Sequence, residues 1–86
     1  AAEQQVLRAY LGISIEPRRL TETTAAMKKI PEIETLMAVS GSFDLMALVK
    51  VANAEALDRL LDRLGDLPGV ENTESSIVLS VKLDRR

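Results

Sequence analysis

Two short segments hold the residues whose types and spacing could do chemistry. Ser40-Gly41-Ser42-Phe43-Asp44 joins two apolar stretches, and Thr73-Glu74-Ser75-Ser76-Ile77 opens a third. Read as a site, they make a polar pocket. The Asp44 carboxylate accepts from a ligand ammonium, exposed amides near Gly41 meet a carboxylate, and the hydroxyls fix orientation. Read as structure, Gly41 serves a turn, Asp44 bonds nearby backbone, and Thr73 and Ser75 suit an edge strand. On the residues alone the structural reading is at least as good as the ligand one.

Other chemistries lack their residues. The 86-residue chain has no His and no Cys. That removes the commonest general base, the usual metal ligands and any disulfide. There is no GxGxxG, P-loop or zinc motif. The acidic pairs Glu32/Glu34 and Glu71/Glu74 flank strand starts, where solvated charge is the ordinary meaning. A carboxylate dyad needs burial and convergence. No catalytic residue, metal or cofactor is therefore expected, and the chain reads as not an enzyme. The net charge of −2, with no basic run beyond Arg18-Arg19 and Arg85-Arg86, speaks against a nucleic-acid face on this domain. Tyr10 and Phe43 are the only aromatics, too few for a base-stacking platform. No run approaches a membrane span of about 20 apolar residues, and no signal-peptide pattern is visible.

The elements that must position these segments show an internal repeat. A shift of 37 residues lays Leu20 on Leu57, Thr24 on Leu61, Met27 on Leu64, Ile30 on Leu67, Pro31 on Pro68 and Ile33 on Val70. With one residue of slack, Leu7, Ala9, Leu11 and Ile13 fall on Leu45, Ala47, Val49 and Val51. Each half reads strand, helix, strand. The first strand covers about 6–16, with Leu7, Ala9, Leu11, Ile13 and Ile15 alternating with Arg8, Tyr10, Gly12, Ser14 and Glu16. A helix over about 18–30 presents Leu20, Thr24, Met27 and Ile30, and Pro31 stops it.

Strands from Ile33 to about Ser40 and from Asp44 to about Ala52 flank a hairpin turn at Gly41. The second helix has Asn53 as N-cap, Glu55 in its first turn and Leu57, Leu60, Leu61 and Leu64 as its stripe. A last strand runs from Val70 to about Lys82, and Leu83 to Arg86 reads as a tail. The order β-α-β-β-α-β predicts a single α+β domain over residues 1–86. Its four-stranded antiparallel sheet carries both helices on one face, the ferredoxin-like sandwich.

Helices cover one face only. With Leu45, Ala47, Val49 and Val51 turned to them, Met46 and Leu48 point the other way, joined by one set from the second strand. An open antiparallel sheet normally carries polar residues there. This apolar patch points to a partner, because so small a domain gains stability by association. The alternative is that these side chains pack under their own loops. Lys28-Lys29, Arg59 and Arg63 read as a solvated face, with Asp58 and Asp62 spaced to pair with the arginines of their helix.

The run Ala38-Val39-Ser40-Gly41-Ser42-Phe43-Asp44-Leu45-Met46 resembles the V-[TS]-G-x-[YF]-D hairpin of Lrp/AsnC (feast/famine) transcriptional regulators. Leu67-Pro68-Gly69-Val70, followed by Thr73-Glu74-Ser75-Ser76-Ile77-Val78-Leu79, resembles the L-P-G-V-x-x-T-x-[TS]-x-[IV] ending of that family. Ile30-Pro31-Glu32-Ile33 fits its first helix exit, so the resemblance runs from about Leu7 to Val81.

The resemblance implies the effector-sensing, or RAM, domain of a cytoplasmic regulator. It implies dimers formed through the sheets, assembled further into octameric rings or related oligomers. Amino acids or similar metabolites would bind between dimers. Ser40, Gly41, Phe43 and Asp44 would line the pocket, and Thr73, Ser75 and Ile77 would approach it from a neighbouring segment. Phe43 stands where the family usually has Tyr, and Ser75 replaces the second Thr of the ending; Phe43 lacks a hydroxyl, so the resemblance implies one polar contact fewer and a shifted ligand choice.

DNA would be bound through an N-terminal helix-turn-helix domain that the first six residues cannot supply. The absent initiator Met leans towards a fragment rather than a stand-alone domain. Two readings compete with this one. A small dimeric ferredoxin-like enzyme requires a deep pocket between sheet and helices. An ACT-type amino-acid-binding domain shares the strand order but fits the hairpin motif less well.

Overall fold

The computed structural model describes residues 6–77. β1 (Leu7–Ile15) leads through a 3-10 turn (Pro17–Arg19) into α1 (Leu20–Met27). Then come β2 (Ile33–Ala38), β3 (Leu45–Val51), α2 (Ala54–Gly65) and β4 (Val70–Ile77). The strands form one sheet in the order β2-β3-β1-β4, every neighbouring pair antiparallel. This is the ferredoxin-like βαββαβ arrangement expected from the order of elements.

The alternation in β1 and β3 sets the two faces. Ala9, Leu11, Ile13 and Ile15 are buried, as are Leu45, Ala47, Val49 and Val51. The register pairs Leu11 with Ala47 and Ala9 with Val49, and directly opposed residues share a face. Against them pack Leu57, Leu60 and Leu64 of α2. The Asn53 Oδ1 accepts from the Ala56 backbone N–H at 2.8 Å, which confirms the N-cap.

The first helix differs from its expectation. Arg19 precedes a helix of only eight residues, and the segment from Pro17 is a 3-10 turn. Thr23, Met27 and Ile30 are buried, whereas Leu20 is exposed and Thr24 half-buried. The reason is a polar contact that periodicity cannot show. The Thr23 hydroxyl donates to the Pro68 carbonyl, which turns the Thr23 side of α1 inward. Gly69 follows at φ +89°, and a Cβ there would fall 2.8 Å from the Arg19 Cβ and nearer still to the Thr23 hydroxyl. The Glu16 N–H donates to the Gly69 carbonyl at 2.8 Å. The start of β4 is thus locked to the start of α1. The Arg19 guanidinium is also held by Glu22 at 3.2 Å, whose hydrogen bond and charge raise its pKa.

β2 and β3 are shorter than read, ending at Ala38 and beginning at Leu45, because the connecting loop leaves the ladder earlier. Both edge strands shift register, between Ile33 and Thr35 on β2 and opposite Ser14/Ile15 on β4. Such irregularities interrupt a continuous edge. The expected continuation of β4 to Lys82, and the tail, lie outside the described residues.

Candidate functional site

The hairpin between β2 and β3 folds over the end of β1. The Val39 N–H donates to the Asp44 carbonyl at 3.2 Å and closes the loop. Gly41 sits at φ +117° with no atom near a would-be Cβ, so the turn is exposed and favours glycine. The Asp44 N–H donates to the Ile13 carbonyl at 2.9 Å. The Asp44 Oδ2 accepts from the Ile15 N–H at 2.7 Å, a short charge-assisted bond. The Ser14 hydroxyl reaches the Ser42 carbonyl at 3.5 Å.

Asp44 therefore has a structural task. It grips β1 where that strand hands over to the 3-10 turn. A carboxylate offers about four acceptor positions, so one bond to Ile15 leaves capacity for a further donor. Ser40 and Gly41 are exposed beside it.

Phe43 turns to the free face of the sheet. A Cβ built on Gly12 would fall 2.6 Å from the ring, so the ring lies directly on the Gly12 backbone. Gly12 pairs with Met46 and with Glu74, on the face away from the helices. The expected apolar patch is present there. Met46 and Leu48 are half-buried, Met37 pairs with Met46 and is 39% exposed, and Tyr10 pairs with Leu48 and is 43% exposed. Tyr10 and Gly12 are residues that alternation assigned merely to the outer set of β1. The signal that could have found them is the combination of an aromatic and a glycine at outward positions of a central strand.

The β4 candidates lie on the other side. Thr73 pairs with Ile13, Ser75 with Leu11 and Ile77 with Ala9, all partners that face the helices. Thr73 is half-buried, Ser75 exposed and Ile77 45% exposed, so the helical layer leaves this end of the edge strand uncovered. Within one chain, then, Phe43 and the Thr73-Ser75-Ile77 row are on opposite faces of the sheet. The structure brings Ser40, Gly41, Phe43 and Asp44 together in one loop. It does not bring them to a common cavity with the β4 row.

The acidic pair Glu32/Glu34 does not form a dyad. Glu32 meets Arg63 at 3.4 Å and Glu34 meets Arg8 at 3.5 Å, so the two carboxylates diverge to different cations. Arg63 pairs across the fold with Glu32 rather than along its own helix. Among the described residues no group of acidic side chains is placed to hold a metal, and no helix is long and apolar enough to cross a membrane. A groove of about 430 Å³ opens between the ends of the helices, lined by Ala26, Lys29, Ile30, Arg63, Asp66 and Leu67. It includes no sheet residue and none of the candidates, so it is not the deep sheet–helix pocket that an enzyme on this fold would use.

With this geometry in view, the comparisons with known proteins agree. The Lrp/AsnC ligand binding domain family matches residues 8–86. The HTH-type transcriptional regulator FL11 of Pyrococcus horikoshii is 31% identical over 71 residues, 83% of this chain and 47% of the relative. The feast or famine regulatory protein of M. tuberculosis, solved in complex with L-methionine, superposes with a TM-score of 0.81 at 32% identity. That match covers 93% of this chain and 54% of the other.

A transcriptional regulator from Neisseria meningitidis, also in complex with L-methionine, superposes with a TM-score of 0.84 at 26% identity, over 91% of this chain and 53% of the other. The chain spans about half the length of the relatives it matches. These relatives are transcriptional regulators, in line with the reading that the chain is not an enzyme. The chain belongs to the Lrp/AsnC family, of which it is the ligand binding domain.

Proposed function

We propose that this domain senses an amino acid or a close analogue at a site completed by two copies of the chain, and that it assembles through the free face of its sheet. One observation carries the reading: the Phe43 ring of the hairpin and the β4 row occupy opposite faces of one sheet, which supports a pocket that draws the two from different chains. Ser40, Gly41, Phe43 and Asp44 come from one copy, and Thr73, Ser75 and Ile77 from another. The bound L-methionine in two relatives supports an amino acid as the ligand class. Asp44 answers the ligand ammonium with the acceptor capacity that Ile15 leaves, and the amides around Gly41 answer its carboxylate.

The free face supports self-association. Tyr10, Met37, Met46 and Leu48 make it apolar, and burying a Leu or Met contributes roughly 1.5–3 kcal/mol. Dimers and dimer-based rings such as octamers are the assemblies this face serves, in a cytoplasmic regulator that meets DNA through a helix-turn-helix domain. A ligand that binds one assembly better than another shifts the population towards it.

The test is calorimetry and light scattering with the protein amino acids, L-methionine first, on wild type and Asp44→Asn. The Asn side chain still accepts from Ile15 but lacks the charge. The expected result is an oligomer whose distribution shifts with at least one amino acid, with binding at least tenfold weaker in Asp44→Asn, about 1.4 kcal/mol. A wild-type chain that stays monomeric and ignores every amino acid contradicts the reading.

A further inference from the structure

Phe43 sits where the hairpin and the free face of the sheet meet. Its ring occupies the space above Gly12, where a Cβ would lie 2.6 Å from Cδ2 and 2.8 Å from Cγ. Gly12 is in register with Met46, and Met46 with Met37, so the ring continues the apolar row Gly12–Met46–Met37 across three strands. Both chain neighbours of Phe43 are tied to β1. The Ser42 carbonyl accepts from the Ser14 hydroxyl, and Asp44 bonds Ile13 and Ile15 through its N–H and its carboxylate. The ring is thus placed by the same bonds that hold the loop on β1, and it rests on the free face.

We propose that Phe43, seated on Gly12, is the positioning residue through which a ligand at the hairpin alters the free sheet face and the self-association it supports. This rests on the sensing role proposed above. A ligand that contacts Ser40, Gly41 and Asp44 binds one loop position better than the others, and each loop position sets where the ring rests. Gly12 is the counterpart on which the ring turns. Any side chain there lifts the ring, whatever the hairpin sequence.

The three methionines supply the readout. Met37 and Met46 lie on the free face, while Met27 is buried in the core as an internal control. Protein labelled with 13C at the Met methyls is titrated with unlabelled L-methionine, and binding is followed in parallel by calorimetry. In wild type, saturation displaces the Met37 and Met46 methyl signals and leaves Met27 in place. At saturation, Gly12→Ala reduces that displacement at least threefold while binding persists; Phe43→Leu, saturated at whatever affinity it retains, reduces it likewise, and Phe43→Tyr restores it.

Gly12→Ala acts from the strand side and Phe43→Leu from the loop side, so either variant that keeps its circular dichroism and melting transition decides the matter. A folded variant that binds L-methionine with the full wild-type displacement overturns the coupling and leaves the sensing role standing. A wild-type protein that binds no amino acid overturns both.

Discussion

The two faces of the sheet are built from the same strands yet obey different rules. On the helix side, Ala9, Leu11, Ile13, Ala47 and Val49 are sealed under Leu60 and Leu64, and every inward position of β1 and β3 is aliphatic. On the free side, Arg8, Tyr10 and Gly12 of β1 stand beside Lys50, Leu48 and Met46 of β3, a mixture of two charges, an aromatic, a gap and two flexible apolar chains. The first face is what makes the chain fold. The second carries more apolar surface than folding alone requires, which is what the proposed self-association would use. Stability therefore rests on the helix side of the central strands, while their free side is left with surface that folding does not use.

That division can be broken by substitution, and the largest effect belongs to the helix side. Leu64→Ala leaves a cavity against β1 and β3 and costs about 2–5 kcal/mol. Urea denaturation is expected to show a midpoint lowered to the edge of the folded range, since small domains hold only about 5–15 kcal/mol in all. Next comes Thr23→Val, which deletes the part-buried hydrogen bond to the Pro68 carbonyl and costs about 1 kcal/mol. If its melting temperature matches wild type, the lock between α1 and β4 is not structural. Asn53→Ala removes the cap from α2 and costs about 1 kcal/mol by thermal denaturation.

The smallest change in folded stability is expected on the free face. Met37→Lys, at a 39% exposed site, alters unfolding by no more than about 0.5 kcal/mol. Sedimentation velocity should nevertheless show its self-association weakened at least tenfold. A Met37→Lys protein that associates like wild type would contradict assembly through the free face.

The contrast also explains what could be read from residues alone. β1, β3 and α2 were legible because each buries one face by strict alternation or an i, i+3, i+4, i+7 stripe. Asn53 was legible because a cap is a local event. α1 was misjudged by one position. Its apolar residues are few, and a hydroxyl bond from Thr23 to Pro68, 45 residues on in sequence, decided which side faced in.

The candidate site was legible as residue types and as a family pattern, but its geometry was not. Nothing local shows that Asp44 reaches the Ile15 amide or that the Phe43 ring covers Gly12, since both depend on the hairpin bending over a strand 28 or more residues away in sequence. Nor does the motif order show that Phe43 and the Thr73-Ser75-Ile77 row lie on opposite faces of the sheet. That follows only from the register of β4 on β1.

The central claim, a ligand site shared between two chains, is tested most directly by complementation. Asp44→Asn disables the hairpin half and Thr73→Val the β4 half, each in a separate preparation. Each variant alone is expected to bind L-methionine at least tenfold more weakly than wild type. Mixed and allowed to exchange subunits, the two variants form pairs in which an intact hairpin meets an intact β4 row, and calorimetry should recover sites of wild-type affinity at a fraction of the wild-type number. If each variant is impaired and mixing recovers no high-affinity site, the pocket lies within one chain and the account is wrong.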